Sequence, residues 1–438
     1  MPEDRFSNRE ERPLRKGRRA DAPQPFEDGM DESRDAAEAP ALRWVWLRLL
    51  LFLVLLVVLG GLAMLALTGA DFSSLRETGI RGLIEDARSH VGETLPQQQT
   101  LRELSADAPL PVLAVQGETA LLCSGGELRA LDEDGVERWI RPVQLQTPYV
   151  CVSGRDVLYA DLSGRTYGIV RDGVSFFEKQ SRHPLYNAWL SRDFVFLLQH
   201  AEDPGYSAVL DGVSREGGAV FSSYFTDYTP FLVRQAPQTG QSAIVLSGLS
   251  AQLTAAGGAV EFMAPDTTRL GGISSDTDLF AVVLQLTNGH TALVGAQQMR
   301  VVDRELLPVA TYETDGNPIT AATLLDGTQP VLALQDAKRY ETTRQEKTWI
   351  RIFDATGAMK REFPQDGRVT RLVAASGLIA AMTERDVRFY DAEGNLLFVY
   401  NARQAVVDVA LTEKGNAYVL ADNALHLVRV NPGKKWIG

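Results

Sequence analysis

The side chains that most often carry out catalysis or bind metals are few in this sequence and far apart. No two of its five histidines have the His-x-x-x-His or His-Glu-x-x-His spacing that places two metal ligands on one face of a helix. These are His90, His183, His200, His290 and His426. There is also no Gly-x-Ser-x-Gly nucleophile elbow, no P-loop and no dinucleotide-binding glycine fingerprint. The sequence therefore predicts no catalytic residue, no metal ligand and no cofactor; the open alternative is a site formed by distant loops around the axis of a repeat domain.

The two cysteines lie in apolar, strand-like segments. Cys123 occurs in ALLCSGG and Cys151 in PYVCVSG, and neither belongs to a Cys-x-x-Cys pair. Free cysteine in such a context usually behaves as a small buried hydrophobic residue, which is what we expect for both. A disulfide between them stays open, because the sequence does not fix the distance between their Cα atoms.

Acidic residues cluster at Asp132-Glu133-Asp134, where two interpretations compete. Carboxylates in a short loop are typical ligands of calcium. The same residues occupy the turn of a repeated hairpin, where an aspartate side chain commonly hydrogen-bonds to the backbone of the turn itself. Because the turn recurs along the chain, the structural role is favoured.

One charged segment and one aromatic segment are the candidates for ligand binding. The segment QDAKRYETTRQEKTW (Gln335 to Trp349) interrupts the rhythm of the repeats, and we predict an extended hairpin that protrudes from one face of the domain. Loops on a rigid scaffold often carry the binding residues; a solvated insertion without function is the alternative. The candidate binding residues of this loop are Lys338, Arg339, Arg344 and Lys347. The aromatic stretch SSYFTDYTPF (Ser222 to Phe231) is either a recognition surface or a segment that packs between repeats.

The elements that must position these residues are short β-strands. From residue 110 onward, runs of Val, Leu, Ile, Tyr and Phe alternate with turns rich in Gly, Asp, Asn and Ser. One unit recurs about every 40 residues, a period typical of propeller blades. Each copy has a strand, a turn with a glycine, and a second strand with an aromatic residue. The predicted pairs are Gly135 with Trp139, Gly173 with Phe177, Gly217 with Phe221, Gly257 with Phe262, Gly357 with Phe363, and Gly394 with Phe398.

These repeats predict an all-β fold, a β-propeller for which eight blades are favoured and seven are the alternative. The glycine is expected to supply a positive φ between the third and fourth strands, and the aromatic residue to fill the gap between adjacent blades. The segment Met299 to Tyr312 is interpreted as a divergent copy whose glycine is replaced. The last unit lacks a fourth strand, so residues from about Gln99 to Val115 are expected to supply it and close the ring.

A long apolar run precedes the repeats. Residues Leu49 to Thr68 are twenty uncharged residues, which as a helix would span roughly 30 Å, the thickness of the hydrocarbon core of a bilayer. A cleavable signal peptide is the alternative, but its apolar core is shorter and is not preceded by a long polar segment. Arg43 and Arg48 lie directly before the run, which predicts a cytoplasmic N-terminus and an extracytoplasmic domain in the cell membrane.

The chain is thereby divided into four parts. Residues 1–42 are rich in charge and are predicted to be a disordered cytoplasmic tail. Residues 43–69 are the predicted transmembrane helix, residues 70–97 a stalk in which apolar residues recur at helical spacing, and residues 98–438 the propeller. The apolar face of the stalk would lie on the membrane, pair with another copy, or pack onto the domain.

The arrangement resembles known propeller proteins. The segment LDEDGVERW (Leu131 to Trp139) is similar to the WD-like blade motif of pyrroloquinoline-quinone-type propellers. The whole order of charged tail, anchor and propeller resembles a family of membrane-anchored bacterial proteins of unknown function, over nearly all of residues 40 to 432. This resemblance implies the fold and the anchor and supplies no catalytic residue. A quinone cofactor is not expected, because the aromatic residues lie at the joints between blades.

Charge and motifs together restrict the function. The formal net charge of -12 at pH 7 argues against a nucleic-acid partner, whose phosphates are bound by Lys and Arg. We therefore predict a non-enzymatic, membrane-anchored scaffold in the bacterial envelope that binds a protein or a cell-wall polymer. Two alternatives stay open: a glycan-processing hydrolase or lyase with its site in the central channel, and a transmembrane sensor.

Overall fold

Thirty-two β-strands and one short helix make up the part of the chain that the computed structural model describes, residues 97–105, 111–238, 241–251 and 257–430. The strands form eight antiparallel sheets of four strands each, an eight-bladed β-propeller. The predicted tail, anchor and nearly all of the stalk lie outside these ranges. Within them, no helix is both long enough and apolar enough to cross a membrane.

Seven blades are formed by consecutive strands, numbered here from the innermost strand outwards. They are blade 1, β2 (Val112–Gln116), β3 (Thr119–Ser124), β4 (Glu127–Leu131) and β5 (Glu137–Pro142); blade 2, β6 (Pro148–Ser153), β7 (Asp156–Asp161), β8 (Thr166–Arg171) and β9 (Val174–Gln180); blade 3, β10 (Leu185–Leu190), β11 (Phe194–His200), β12 (Ala208–Ser214) and β13 (Ala219–Phe225); blade 4, β14 (Tyr228–Gln238), β15 (Gln241–Ser250), β16 (Gly258–Met263) and β17 (Arg269–Ser275); blade 5, β18 (Val282–Gln285), β19 (Thr291–Val294), β20 (Gln298–Val302) and β21 (Pro308–Glu313); blade 6, β22 (Ile319–Leu325), β23 (Gln329–Gln335), β24 (Lys347–Phe353) and β25 (Met359–Asp366); and blade 7, β26 (Arg371–Ala375), β27 (Leu378–Met382), β28 (Asp386–Asp391) and β29 (Leu396–Asn401).

Blade 8 joins the two ends of the described chain. Its inner strands are β30 (Val406–Leu411), β31 (Asn416–Ala421) and β32 (Ala424–Arg429), and its outermost strand is β1 (Gln97–Glu103). The N-terminal strand thus completes the last blade, as expected, and β30 contacts β2 so that the ring closes. The donor segment is shorter than the expected 99–115, because residues 112–116 form the innermost strand of blade 1.

Burial follows from the stacking of the blades. The middle strands are covered on both faces by neighbouring blades, so they need continuous apolar runs; all six residues of β7 and all five of β27 are buried. The outermost strands have solvent on one side, and β13 accordingly alternates between exposed and half-buried residues. Each blade can bury its apolar faces only against its neighbours, which makes the ring the smallest stable unit.

The turn between the third and fourth strands has the same form in most blades. In blade 7 the backbone N–H of Gly394 donates to the carbonyl of Asp391 at 3.0 Å, and Gly394 has φ +86°. A one-residue bulge follows in the strand pairing. Blade 5 makes this turn with Leu306 at φ +64°, so the divergent copy Met299 to Tyr312 is a blade unit that tolerates a left-handed leucine.

In blades 2, 3 and 7 the turn glycine packs against the fourth-strand aromatic of the preceding blade, whereas Gly357 of blade 6 packs against Ala310. A Cβ atom added at Gly173 would lie 2.7 Å from Cγ of Trp139, and one added at Gly394 would lie 2.5 Å from Cδ1 of Phe363. At the seam between blades 8 and 1, Leu101 of β1 takes the place of the aromatic residue beside Gly135. Glycine is therefore required here both for its positive φ and for its lack of a side chain.

The prediction for blade 4 needs correction. Gly257 directly precedes β16, between the second and third strands, and Phe262 lies on the third strand, where it is fully buried. The turn between the third and fourth strands is instead made at Thr267, with φ +72°. The sequence LTAAGGAVEF resembles the motif in composition, but it stands one connection too early.

Replacing Gly394 by alanine is expected to destabilise the propeller more than the same change at Gly316. Both have nearly the same φ, +86° and +85°, but nothing lies within 4 Å of a Cβ added at Gly316. The strained backbone costs roughly 1–2 kcal/mol at either position, and the overlap with Phe363 adds roughly 1–3 kcal/mol at Gly394. Denaturation followed by tryptophan fluorescence measures both; equal midpoints would contradict the proposed packing of the seam.

Candidate interaction surface

The strand order separates the connections of the propeller into two faces. Because the strands of each blade are antiparallel, the connections between second and third strands all emerge on one face, here called the loop face. The turns between first and second and between third and fourth strands emerge on the opposite side, the turn face. Asp132 illustrates the turns of that second face, since its Oδ1 accepts hydrogen bonds from the backbone of Asp134 and Val136 at 3.0 and 2.8 Å. The acidic triplet Asp132-Glu133-Asp134 thus serves its own turn, the interpretation favoured from the sequence.

The charged insertion of blade 6 is a helix on the loop face. The extended hairpin expected from the sequence is wrong, because residues Ala337–Thr343 form a helix, α1, between β23 and β24. The carboxylate of Asp336 caps its start by accepting from the backbone N–H of Arg339 at 2.9 Å, and also from Nε1 of Trp349 at 3.3 Å. Arg344 ends it in a left-handed conformation, with φ +57°. The N-cap aspartate was the signal in the sequence that would have predicted this helix.

Three of the four predicted binding residues are exposed at α1. No described carboxylate lies within 4 Å of the side-chain nitrogens of Lys338, Arg339 or Arg344. Arg339 donates to Oε1 of Gln345 at 3.0 Å, and the guanidinium of Arg344 lies 5.6 Å from the ring centre of Tyr340. These cations therefore form no ion pair within 4 Å among the described residues, although the charge of Arg339 helps to lower the pKa of Asp336 at longer range. Their exposed side chains are available to an acidic ligand.

The fourth predicted residue, Lys347, differs from the other three. It lies at the start of β24, is half-buried, and places its Nζ 4.5 Å from the ring centre of Trp349. A cation–π contact of this kind fixes the lysine against the blade. Lys347 therefore supports the base of the insertion, whereas the other three residues form its exposed surface.

A cleft of about 620 Å³ lies beside α1. Its walls come from the end of the helix and from the connection between blades 6 and 7, and they combine basic, acidic and aromatic side chains. The lining residues are Arg339, Tyr340, Arg344, Gln345, Glu346, Asp366 and Gly367. Tyr340 is 38% exposed, which is unusual for an aromatic residue in a polar cleft and is typical of recognition surfaces.

A second exposed aromatic group lies on the loop face at blade 3. The rings of Tyr206 and Tyr224 have their centres 5.0 Å apart, and both side chains are more than a third exposed. Arg182 donates to the hydroxyl of Tyr224 at 2.8 Å and pairs with Asp203 at 3.2 Å. The segment Ser222 to Phe231 is thus divided between the two roles proposed from the sequence. Tyr224 lies at the surface, whereas Tyr228 is buried.

A polar network that the sequence did not indicate supports this second group. His183 is 3% exposed, and its ring nitrogens lie 3.3 Å from Glu202 and 3.6 Å from Asp203. Arg165 donates to both carboxylate oxygens of Glu202 at 2.8 and 3.0 Å. The hydrogen bond to His183, together with the charge of Arg165, lowers the pKa of Glu202. These residues come from different connections, and their spacing in the chain gave no signal of the cluster.

The remaining candidates for chemistry are separated in the structure. Cys123 and Cys151 are free, buried and on different blades, and burial raises the pKa of Cys123 to about 11, so its thiol stays protonated at neutral pH. Histidines His200, His290 and His426 lie on blades 3, 5 and 8. Among the described residues, no group of three His, Cys, Asp or Glu side chains is arranged to hold a metal ion.

The central channel is bordered by the innermost strands, all eight of which are described. Asp408 is their only carboxylate, and it pairs with Arg371 at 2.7 Å. Burial nonetheless raises the pKa of Asp408, since its side chain is nearly excluded from water. A glycan hydrolase needs two carboxylates facing one another, and these eight strands do not supply the second.

Comparison with known proteins agrees with the fold. No protein-family model and no curated protein matches the sequence. Three solved structures are similar over most of the chain: BamB from Moraxella catarrhalis (13% identity, TM-score 0.52, covering 76% of this chain and 98% of that one), the C-terminal WD40 domain of Sif2 (12%, 0.56, 76% and 97%) and Sqt1 from Saccharomyces cerevisiae (11%, 0.53, 77% and 98%). The predicted β-propeller is confirmed by this likeness, whereas the quinone-type subclass and the membrane-anchored family stay predictions.

Helix α1 is expected to depend on the ionised form of its cap. The hydrogen bond from Arg339 lowers the pKa of Asp336 below its ordinary value of 3.8, so the stabilisation is complete above that pH and is lost as the pH falls below it. Replacing Asp336 by alanine should speed amide exchange in residues 337–343 roughly fivefold, from the loss of about 1 kcal/mol of capping. Asn at this position should restore protection without the pH dependence; unchanged exchange in D336A would contradict the role of the cap.

Proposed function

We propose that this chain is a non-enzymatic scaffold, tethered to the cell membrane of a bacterium, that binds an acidic segment of a protein partner at α1. The observation that carries the proposal is the cluster of three exposed basic side chains at α1, with no described carboxylate within 4 Å to neutralise them, beside a cleft that exposes Tyr340. An aromatic residue and arginines next to a concave surface are the composition of energetically dominant positions in protein interfaces.

The strand order supports binding on the loop face. Gln97, the first residue of β1, pairs with Arg429 at the end of β32, so the described chain enters the propeller on the turn face. Any tether that precedes Gln97 is therefore attached opposite to α1. A scaffold held from one face presents its other face to partners, and the longest described connections, at residues 336–346 and 201–207, are on that other face.

The likeness to solved propellers supports a scaffold without selecting the partner. BamB and the WD40 domain of Sif2 share the propeller fold with this chain. Their sequence identities of 13% and 12% are too low to indicate a shared partner. The choice of an acidic ligand comes from the charge at α1, because guanidinium and ammonium groups recognise carboxylates. The choice of a protein rather than a wall polymer comes from Tyr340 and the arginines beside the cleft, a composition typical of protein interfaces. The membrane tether comes from the apolar run Leu49 to Thr68.

Tethering predicts opposite accessibility for the two ends of the chain. Cys123 and Cys151 are buried, so single cysteines introduced at Ser33 and at Thr343, on α1, are the only ones expected to react in the folded protein. In intact cells a membrane-impermeant maleimide should label Thr343→Cys. It should label Ser33→Cys only after the membrane is permeabilised. Labelling of both cysteines in intact cells would contradict a membrane-spanning segment between them.

Binding at α1 predicts a cross-link that depends on charge. A photoreactive amino acid in place of Tyr340 should yield a covalent adduct of one defined mass in cells, whereas the same group in place of Leu307, which is 60% exposed on the turn face, should not. The change K338E/R339E/R344E should weaken binding through charge repulsion by roughly 1.4 kcal/mol or more, which lowers the affinity about tenfold or more. The yield of the adduct should fall accordingly.

The matched control alters net charge equally on the turn face. Arg155, Arg192 and Arg304 are exposed there, so R155E/R192E/R304E should leave the adduct at Tyr340 intact. An adduct that survives the change at α1, or that is lost equally in the control, would show that α1 is not the binding surface.

A further inference from the structure

The innermost strands carry very few charges. Their eight sequences contain three charged residues, Arg234 on β14, Arg371 on β26 and Asp408 on β30. Arg371 and Asp408 neutralise each other at 2.7 Å. Arg234 is thus left as the single unpaired charge on the strands that border the channel, because no described carboxylate lies within 4 Å of its guanidinium.

Arg234 is held against the channel wall by an aromatic ring. Its guanidinium carbon lies 3.7 Å from the ring centre of Trp189, on the innermost strand of the preceding blade. Nη1 donates to the carbonyl of Val233 at 2.7 Å. Asp193, on the preceding blade, accepts a hydrogen bond from the adjacent residue Gln235 at 3.0 Å. The ring and the carbonyl orient the planar fork, while the remaining N–H groups have no partner among the described residues.

The surroundings of Arg234 are neutral at physiological pH. Tyr149 and Cys151, on the innermost strand of blade 2, are the other titratable groups that act on it. Burial raises the pKa of both, so both stay protonated and uncharged. Burial lowers the pKa of Arg234 itself, which reflects the cost of holding an unneutralised cation away from water.

We propose that the channel wall at Arg234 is a binding site for a small organic carboxylate, with Trp189 as the platform that orients the guanidinium. A planar carboxylate accepts two parallel hydrogen bonds from the edge of a guanidinium, and pairing in a poorly solvated place strengthens both. A ring of Trp that covers one face of the guanidinium leaves that edge free. The carboxylate would neutralise Arg234, the one unpaired charge of the innermost strands. Binding of this ligand would be a function separate from partner binding at α1.

Titration calorimetry of the full-length protein with sodium benzoate tests the site. Saturable binding is expected, and the change R234Q should weaken it by about 30-fold or more, as for loss of one partner of a buried charge pair. R234K keeps the charge but loses the two parallel hydrogen bonds, so its affinity should lie between the two. Sodium chloride at the same ionic strength should not displace benzoate, because chloride cannot accept two parallel hydrogen bonds from the guanidinium.

Arg371 provides the matched control. It is the other arginine of the innermost strands, but Asp408 already pairs with it, so R371Q should bind benzoate as the unmodified protein does. Unfolding midpoints of both variants establish that they are folded. Absence of benzoate binding, equal affinity in R234Q, equal loss in R371Q, or displacement by chloride would each overturn the proposal.

Discussion

The pairing of β1 with β32 is the interaction on which the rest of the structure depends. A propeller blade exposes two apolar faces, and it is stable only when both are covered by neighbours. Blade 8 lacks an outermost strand until residues 97–103 pair with it. Six residue pairs run from Gln97 opposite Arg429 to Glu103 opposite Ala424, with a bulge between Thr100 and Arg102. This non-local pairing closes the ring and covers an otherwise open sheet edge. It also fixes the face on which the described chain enters.

Buried carboxylates among the described residues are stabilised by arginines or by backbone N–H groups. Asp278, which is 3% exposed, accepts hydrogen bonds from the backbone of Ala296 and Gln297, both at 2.8 Å. Asp156, whose side chain is 4% exposed, accepts hydrogen bonds from Arg171 of its own blade at 2.6 Å and from Arg215 of the next at 2.8 Å. An ion removed from water is tolerated when such partners surround it. Against this background the uncompensated cations are informative. They occur at the channel wall and at α1, the two positions proposed here to bind an anionic ligand.

The candidate surface was predictable only in part. The insertion at Gln335 to Trp349 broke the repeat, so its place on the surface and its basic residues followed from the sequence. Its helical form did not follow from the sequence analysis, which used the loss of strand periodicity and overlooked Asp336 as a helix N-cap. The sequence did not single out Arg234, because it does not show which arginines have a carboxylate partner. In the structure Arg371 pairs with Asp408, whereas no described carboxylate pairs with Arg234. The network around His183 likewise joins residues from separate connections.

The sequence by itself determined the all-β class, the repeat and the closure of the ring, because strand alternation and turn glycines are local properties of the chain. It placed five of the six glycine motifs at the turn between the third and fourth strands and misplaced Gly257, whose neighbours imitate the motif. Only the tertiary structure decided which aromatic residue meets which glycine, which charges find partners and which surfaces share a face. Those relations depend on distances between blades, and a one-dimensional pattern does not contain them.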